Sequence, residues 1–124
     1  MIAVDSSTLI AFIQGDAGDD VALLDHSISS SEMALPPAVI TEVLCDPALP
    51  AQHATLIRAL PILEISDGYW SRAAEIRALL LSRKLRARFA DTLIAQSCLD
   101  HDVALIARDG DFRHFAKHCG LKLA

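Results

Sequence analysis

No lysine or arginine occurs before Arg58: residues 1–57 hold eight acids and no base, whereas residues 58–124 hold eleven bases and eight acids. The formal net charge of −5 argues against a nucleic-acid partner only when charge is averaged over the chain. Its distribution leaves the second half able to hold a phosphate backbone. Long apolar runs are also lacking, each being broken by Asp, Pro or Arg, so no membrane-spanning segment is expected. The N-terminus has no basic stretch followed by an apolar one, which predicts a chain without a secretory signal and a cytoplasmic location. Cysteine is scarce. Cys45, Cys98 and Cys119 are odd in number and form no CxxC, so a disulfide framework is not expected and each should pack as a small apolar group. What is abundant is hydrophobic side chain, 52% of 124 residues, enough to build the core of one domain over residues 1–124.

Short apolar strands alternate with helical segments. Ile2-Ala3-Val4 is a strand that runs into Asp5, Ser6 and Ser7 and then a helix from Thr8 to Gln14. A Gly-Asp-Ala-Gly loop follows, with Asp19 or Asp20 as cap of a helix from Asp20 to Ser29; acids in a first turn suit the helix dipole, so Asp16, Asp19 and Asp20 read as structural. Met33–Leu35 is a second strand, and Pro36-Pro37 ends it and starts a helix over Ala38–Cys45. Pro50 opens another helix towards Leu60, Pro61–Ile65 is a third strand, and Asp67 should cap the long helix Tyr69–Ser82. In that helix Trp70, Ala73, Ile76 and Leu79 to Leu81 read as core or oligomer surface. Phe89–Leu99 is a further helix, Asp100–Asp102 a polar turn, Val103–Ala107 a strand, Phe112–His118 a helix and Leu121–Ala124 a closing strand. This alternation predicts an α/β fold with a mainly parallel sheet.

Four acids stand where such a fold brings chemistry. Asp5 and Asp109 lie at the exits of strands, facing the crevice where open α/β sheets bind ligands, although each also suits a cap or a turn. Glu42 is the only ionisable group in an apolar helix, and a buried carboxylate needs a partner; otherwise it lies on the outer stripe. Asp91 opens an apolar helix with little bulk one turn on, at Ala95, and competes with a capping role. Asp111 reads as mainly a helix cap. His114 and His118 are four apart but have no third ligand, and read as a solvated face. The run from Arg83 to Arg88 is either a solvated helix end or a phosphate-holding patch. Converging carboxylates repel and raise one another's pKa, whereas a hard divalent cation keeps them ionised. Mg²⁺ or Mn²⁺ is the natural occupant. The matching chemistry is phosphodiester hydrolysis, in which such an ion polarises the phosphoryl oxygen, activates water and steadies the leaving oxygen.

Together, Val4-Asp5-Ser6-Ser7, the Glu42 helix, Ala90-Asp91-Thr92-Leu93-Ile94-Ala95 and Arg108-Asp109-Gly110-Asp111-Phe112 resemble the PIN-domain family, and within it VapC-type ribonuclease toxins of type II toxin–antitoxin pairs. Any one motif is weak; the four in this order span the chain. The resemblance implies a Rossmann-like, five-stranded, mainly parallel sheet, Mg²⁺- or Mn²⁺-dependent endoribonuclease activity, a homodimer, and a cognate antitoxin protein that covers the site. Carried onto this sequence, it makes Asp5, Glu42, Asp91 and Asp109 the catalytic, metal-binding quartet, with Asp5 and Asp91 the direct ligands. Ser6 becomes a hydroxyl beside the first acid and Asp111 an outlying member of the site. Apart from the resemblance, the basic residues Arg86, Arg88, Arg108 and Arg113 are expected to steer RNA phosphates. Ala107 departs from the Thr or Ser often found before the last acid, which removes one hydrogen bond available to Asp109. Two other readings share these residues: a stand-alone PIN nuclease of RNA processing, and a non-catalytic PIN-like RNA-binding or scaffold protein.

Overall fold

The computed structural model describes residues 1–124. Three parallel strands form the sheet: β1 (Ile2–Val4), β2 (Met33–Ala34) and β3 (Ala104–Ile106), in the order β2-β1-β3. Ile2 and Ala3 pair with Met33 and Ala34 on one side, and Ile2, Ala3 and Val4 pair with Ala104, Leu105 and Ile106 on the other. The chain steps from β1 to β2 in one direction and returns to the opposite side of β1 for β3. The crevice at the carboxyl ends of β1 and β3 is therefore the topological switch point.

The third and last expected strands are each reduced to a single parallel bridge, Leu35 with Ile62 and Leu105 with Leu123. These bridges sit where the outer strands of a five-stranded sheet would run. Pro61 has no N–H to give a ladder, although its carbonyl accepts from Leu35, and Ile62 and Leu123 are half exposed. Edge segments with one buried side chain between exposed ones gain too little from burial to extend the pairing.

The helices are α1 (Ser6–Ile13), α2 (Asp19–Ser29), α3 (Pro37–Leu44), α4 (Ala51–Ala59), α5 (Tyr69–Ser82), α6 (Phe89–His101) and α7 (Arg113–Cys119). α2 lies against β2 and β3, α1 packs on α2 and α3, and α6 is packed by α3, α5 and β3. Leu9, Leu24, Leu35, Val39, Ile94, Leu105, Phe112 and Phe115 are among the buried side chains of one continuous core.

Several ends differ from the sequence expectation. α1 starts two residues early because Asp5 itself is its N-cap. α2 begins after Gly18 and α5 after Gly68, neither with a side-chain cap; Asp67 instead offers its backbone carbonyl to Arg72 Nη1 at 2.8 Å. α6 continues through Asp100 and His101, ending at Asp102 with φ of 50°, so the expected polar turn is its last turn. Asp111 does not cap α7, whose N-cap is Phe112 without a side-chain bond. Cys98 is buried, but Cys45 is exposed and Cys119 intermediate, and all three are free. No helix is long and apolar enough to cross a membrane.

Candidate active site

Asp5 leaves β1 at the switch point, 3% exposed, its N–H given to the Ile106 carbonyl of β3 at 2.8 Å. It is both cap and site residue. Its Oδ2 accepts from the Ser7 hydroxyl at 2.8 Å and weakly from the Ser7 N–H at 3.4 Å. Burial nevertheless holds its carboxyl above the usual range, with the charge of Asp109 adding to the effect.

α3 brings Glu42 to the same corner. The Ser6 hydroxyl lies between the two acids, 3.2 Å from Glu42 Oε1 and 3.4 Å from Asp5 Oδ1. With one proton it serves one carboxylate at a time. Glu42 is half-buried, and its carboxyl is raised first by burial and then by the charges of Asp5 and Asp109, against the Ser6 hydrogen bond. The outer-stripe position that the sequence also allowed is thus not the one it takes.

α6 supplies Asp91 from its first turn, where Arg88, not Asp91, is the N-cap. Ala95, one turn on, is fully buried and leaves the acid room. The Asp91 carboxyl is pushed up to about 7 by burial and by the charges of Asp5, Asp111 and Glu42, with only Arg88 opposing. No hydrogen bond relieves it.

Asp109 stands three residues past β3 on an exposed loop, and its Oδ1 accepts the Asp111 N–H at 3.1 Å. Its field reaches Asp5 and Glu42, as does that of Asp111 on Asp91. Asp111 faces Arg88 at 3.6 Å.

The expected basic residues divide. Arg86, Arg88 and Arg113 border a small polar cleft of about 40 Å³ together with Asp91, Asp111 and His114. Arg108 does not join them. Its guanidinium forms a two-point pair with Asp20, at 3.0 and 3.1 Å, instead of bordering this cleft. His118 Nδ1 lies 2.8 Å from Arg83 Nη1.

The sequence reading passed over Ser7, whose hydroxyl makes the shortest hydrogen bond to Asp5, and the Asp20–Arg108 pair. An acid followed by hydroxyls at a helix start was a signal for the first. None existed for the second, whose members are 88 residues apart.

Every donor at this corner is an oxygen, and three carboxyls are held high by burial and by neighbouring negative charge. That is the donor set a hard divalent cation takes. No three acids are drawn into a ready-made cage, as expected of mutually repelling carboxylates. Mg²⁺ keeps several waters and uses one or two carboxylates with substrate phosphates, so an open set of this kind fits it.

The chain matches the PIN domain family over residues 2–118 and belongs to it. Its fold is similar to VapBC2 from Rickettsia felis, solved bound to a DNA fragment from its promoter, with a TM-score of 0.76 at 17% identity, over 100% of this chain and 98% of that one. It is also similar to VapBC-5 from Mycobacterium tuberculosis, a member of the VapBC family of toxin–antitoxin systems, with a TM-score of 0.67 at 18% identity, over 98% and 95%. Among curated proteins no sequence match is found.

Proposed function

We propose that this PIN domain protein is a Mg²⁺- or Mn²⁺-dependent endoribonuclease, the toxin of a toxin–antitoxin pair. The observation that carries this reading is the raised, unpaired carboxyl of Asp91 beside Asp5 and Glu42 at the switch point. Structural acids are paired; acids kept together without countercharge are suited to a cation.

Asp5 and Asp91 would hold the ion directly, with Glu42 and Asp109 completing its surroundings. When bound, the ion supplies Lewis-acid stabilisation of the phosphoryl group and activation of water. The protein's own residues do the remaining work. Ser7 orients Asp5, Ser6 links Asp5 to Glu42, and Arg86, Arg88 and Arg113 border the side of Asp91 from which a phosphate backbone would arrive. Single-stranded or looped RNA fits an exposed, open corner of this kind better than a duplex.

The partner reading is supported by the VapBC likeness and by the apolar surface flanking the acids. Trp70 and Phe89 are 61% and 66% exposed beside a groove of about 440 Å³ between α3, α5 and α6, which Glu42 also lines. Exposed aromatics in one contiguous patch mark a protein contact, either a second copy or an antitoxin. A toxin of this kind works in the cytoplasm, where its RNA is.

The test is cleavage of a mixed-sequence single-stranded RNA with Mg²⁺ or Mn²⁺. Cleavage should vanish in chelator and fall in Asp91→Asn. Activity unchanged by both would overturn the assignment.

A further inference from the structure

We propose that Asp20 and Arg108 form a clamp that positions Asp5 and the loop carrying Asp109, resting on the reading of this corner as a metal-dependent nuclease site. The two residues come from opposite halves of the chain and meet beside α1. Arg108 Nε donates to Asp20 Oδ2 at 3.0 Å and Nη2 donates to Asp20 Oδ1 at 3.1 Å and to the Ala17 carbonyl at 2.8 Å. The fully buried Thr8 donates its hydroxyl to Asp20 Oδ2 at 2.9 Å, which fixes the carboxylate to α1. A planar fork held at both ends has one geometry.

Gly18 makes room for it. A Cβ at this position would stand 2.5 Å from Asp20 Oδ1 and 2.7 Å from Arg108 Nη2, and its φ of +152° is one that L side chains rarely adopt. The backbone here is shaped around the pair.

The clamp reaches the acids through one main-chain group. The Arg108 N–H donates to Ser7 Oγ at 3.2 Å, and Ser7 Oγ lies 2.8 Å from Asp5 Oδ2. A hydroxyl that accepts from an N–H turns its single proton elsewhere, here to the Asp5 carboxylate. Holding Arg108 therefore orients one Asp5 oxygen and leaves the other, Oδ1, towards Ser6. Asp109 is the next residue along, so the same anchor sets where its charge falls. Arg108 is a positioning residue: it acts through Ser7 and Asp109.

The experiment compares Asp20→Asn, Arg108→Gln, their double variant, Arg108→Lys and Gly18→Ala with the parent protein. Steady-state cleavage of single-stranded RNA and calorimetric titration with Mn²⁺ alone are the readouts, with circular dichroism to verify folding. Loss of an outer-shell partner costs about 10- to 100-fold in metal affinity or activity. The clamp predicts such a loss in kcat and in Mn²⁺ affinity for both single variants, with KM within about twofold of the parent. The double variant should be no worse than either single one, and Arg108→Lys should recover part of the loss. Gly18→Ala, which keeps both charges, should reproduce it. A raised KM and flattened salt dependence in Arg108→Gln, with Asp20→Asn at parental kcat, would assign Arg108 to phosphate steering and overturn the clamp. Parental Mn²⁺ affinity in the folded Asp20→Asn would do the same. If the parent protein cuts no RNA with either metal, the nuclease reading fails, while the Mn²⁺ titrations still judge the clamp.

Discussion

Helix α6 carries an aspartate near each end, and the two are in opposite electrostatic states. Asp91 lies in the first turn, where the helix dipole favours a negative charge, yet its carboxyl is pushed up to about 7. Asp100 lies in the last turn, where the dipole disfavours one, yet its carboxyl is held below the usual range. Arg72 grips Asp100 through Nε at 2.9 Å and Nη2 at 2.7 Å, and Gln96 and Ser66 donate to it at 2.7 and 3.2 Å. Asp91 has only burial and the charges of Asp5, Asp111 and Glu42 about it, with Arg88 a weak counterweight. A dipole effect of about 0.3–1 kcal/mol is overridden by desolvation and specific partners at either end. The acid that holds the fold together is the one with partners. The acid suited to chemistry is the one denied them.

The largest expected effect breaks this contrast at the Asp91 end. Asp91→Asn should lower metal-dependent RNA cleavage by about 10²- to 10³-fold, the loss of several kcal/mol of stabilisation at the reacting phosphate. The same variant should raise the melting temperature of the metal-free protein at pH 7.5, because it removes a charge that the fold keeps at a cost. A melting temperature that falls together with activity would make Asp91 an ordinary structural acid.

At the other end, Asp100→Ala removes the acceptor of a charged network and should destabilise the protein by about 2 kcal/mol in urea unfolding, with kcat on RNA unchanged. Loss of activity without loss of stability would erase the distinction between the two ends.

The pH dependence of stability should show the contrast in sign. A carboxyl whose folded pKa is raised binds its proton more tightly in the native state, so stability falls as pH rises through the window from the unfolded value of 3.8 to about 7. Asp5 and Glu42 act in the same direction. For Asp91, a half-buried group subject to solvent screening, the decline should be about 1–2 kcal/mol, and it should flatten in Asp91→Asn and on addition of Mg²⁺. Asp100 and Asp20 act oppositely: their stabilisation is present above about 3.8 and is lost on acidification through the lower folded values, about 2 for Asp20. Urea midpoints measured across pH 2–8 without metal report both limbs. Stability rising steadily up to pH 7 would contradict the state assigned to Asp91.

The smallest effect separates geometry from charge at the stabilising end. Arg72→Lys keeps the charge beside Asp100 but loses the fork, and should shift the melting temperature by only about 1–3 °C. A shift as large as that of Asp100→Ala would show that the fork itself holds α5 to α6.

The alternation of short apolar runs with amphipathic ones, and the placing of Asp5 at the end of the first run, were legible because strand and helix periods are local properties. The body of α6 was legible for the same reason, as was the choice of Pro37 as a helix start. Helix caps were less so. Asp67, Asp111 and Asp19 or Asp20 all had the right chemistry for a cap, and none serves as one; the carboxylates of Asp20 and Asp111 are instead turned to Arg108 and Arg88. The outer strands were overread: Pro61–Ile65 and Leu121–Ala124 have strand-like composition, but pairing depends on a neighbour and on how much of an edge is buried.

By itself, then, the order of residues determined which acids exist, that the basic charge lies in the second half, and that a parallel α/β sheet would gather strand ends at one edge. Only the tertiary structure decided which acids stay unpaired. Asp20 and Arg108 are far apart in sequence and one ion pair in space, and Asp91 and Asp100 share a helix yet differ in partners. The reason is that ionisation state follows from burial and from charges within a few ångströms, and those neighbours are chosen by folding across the chain.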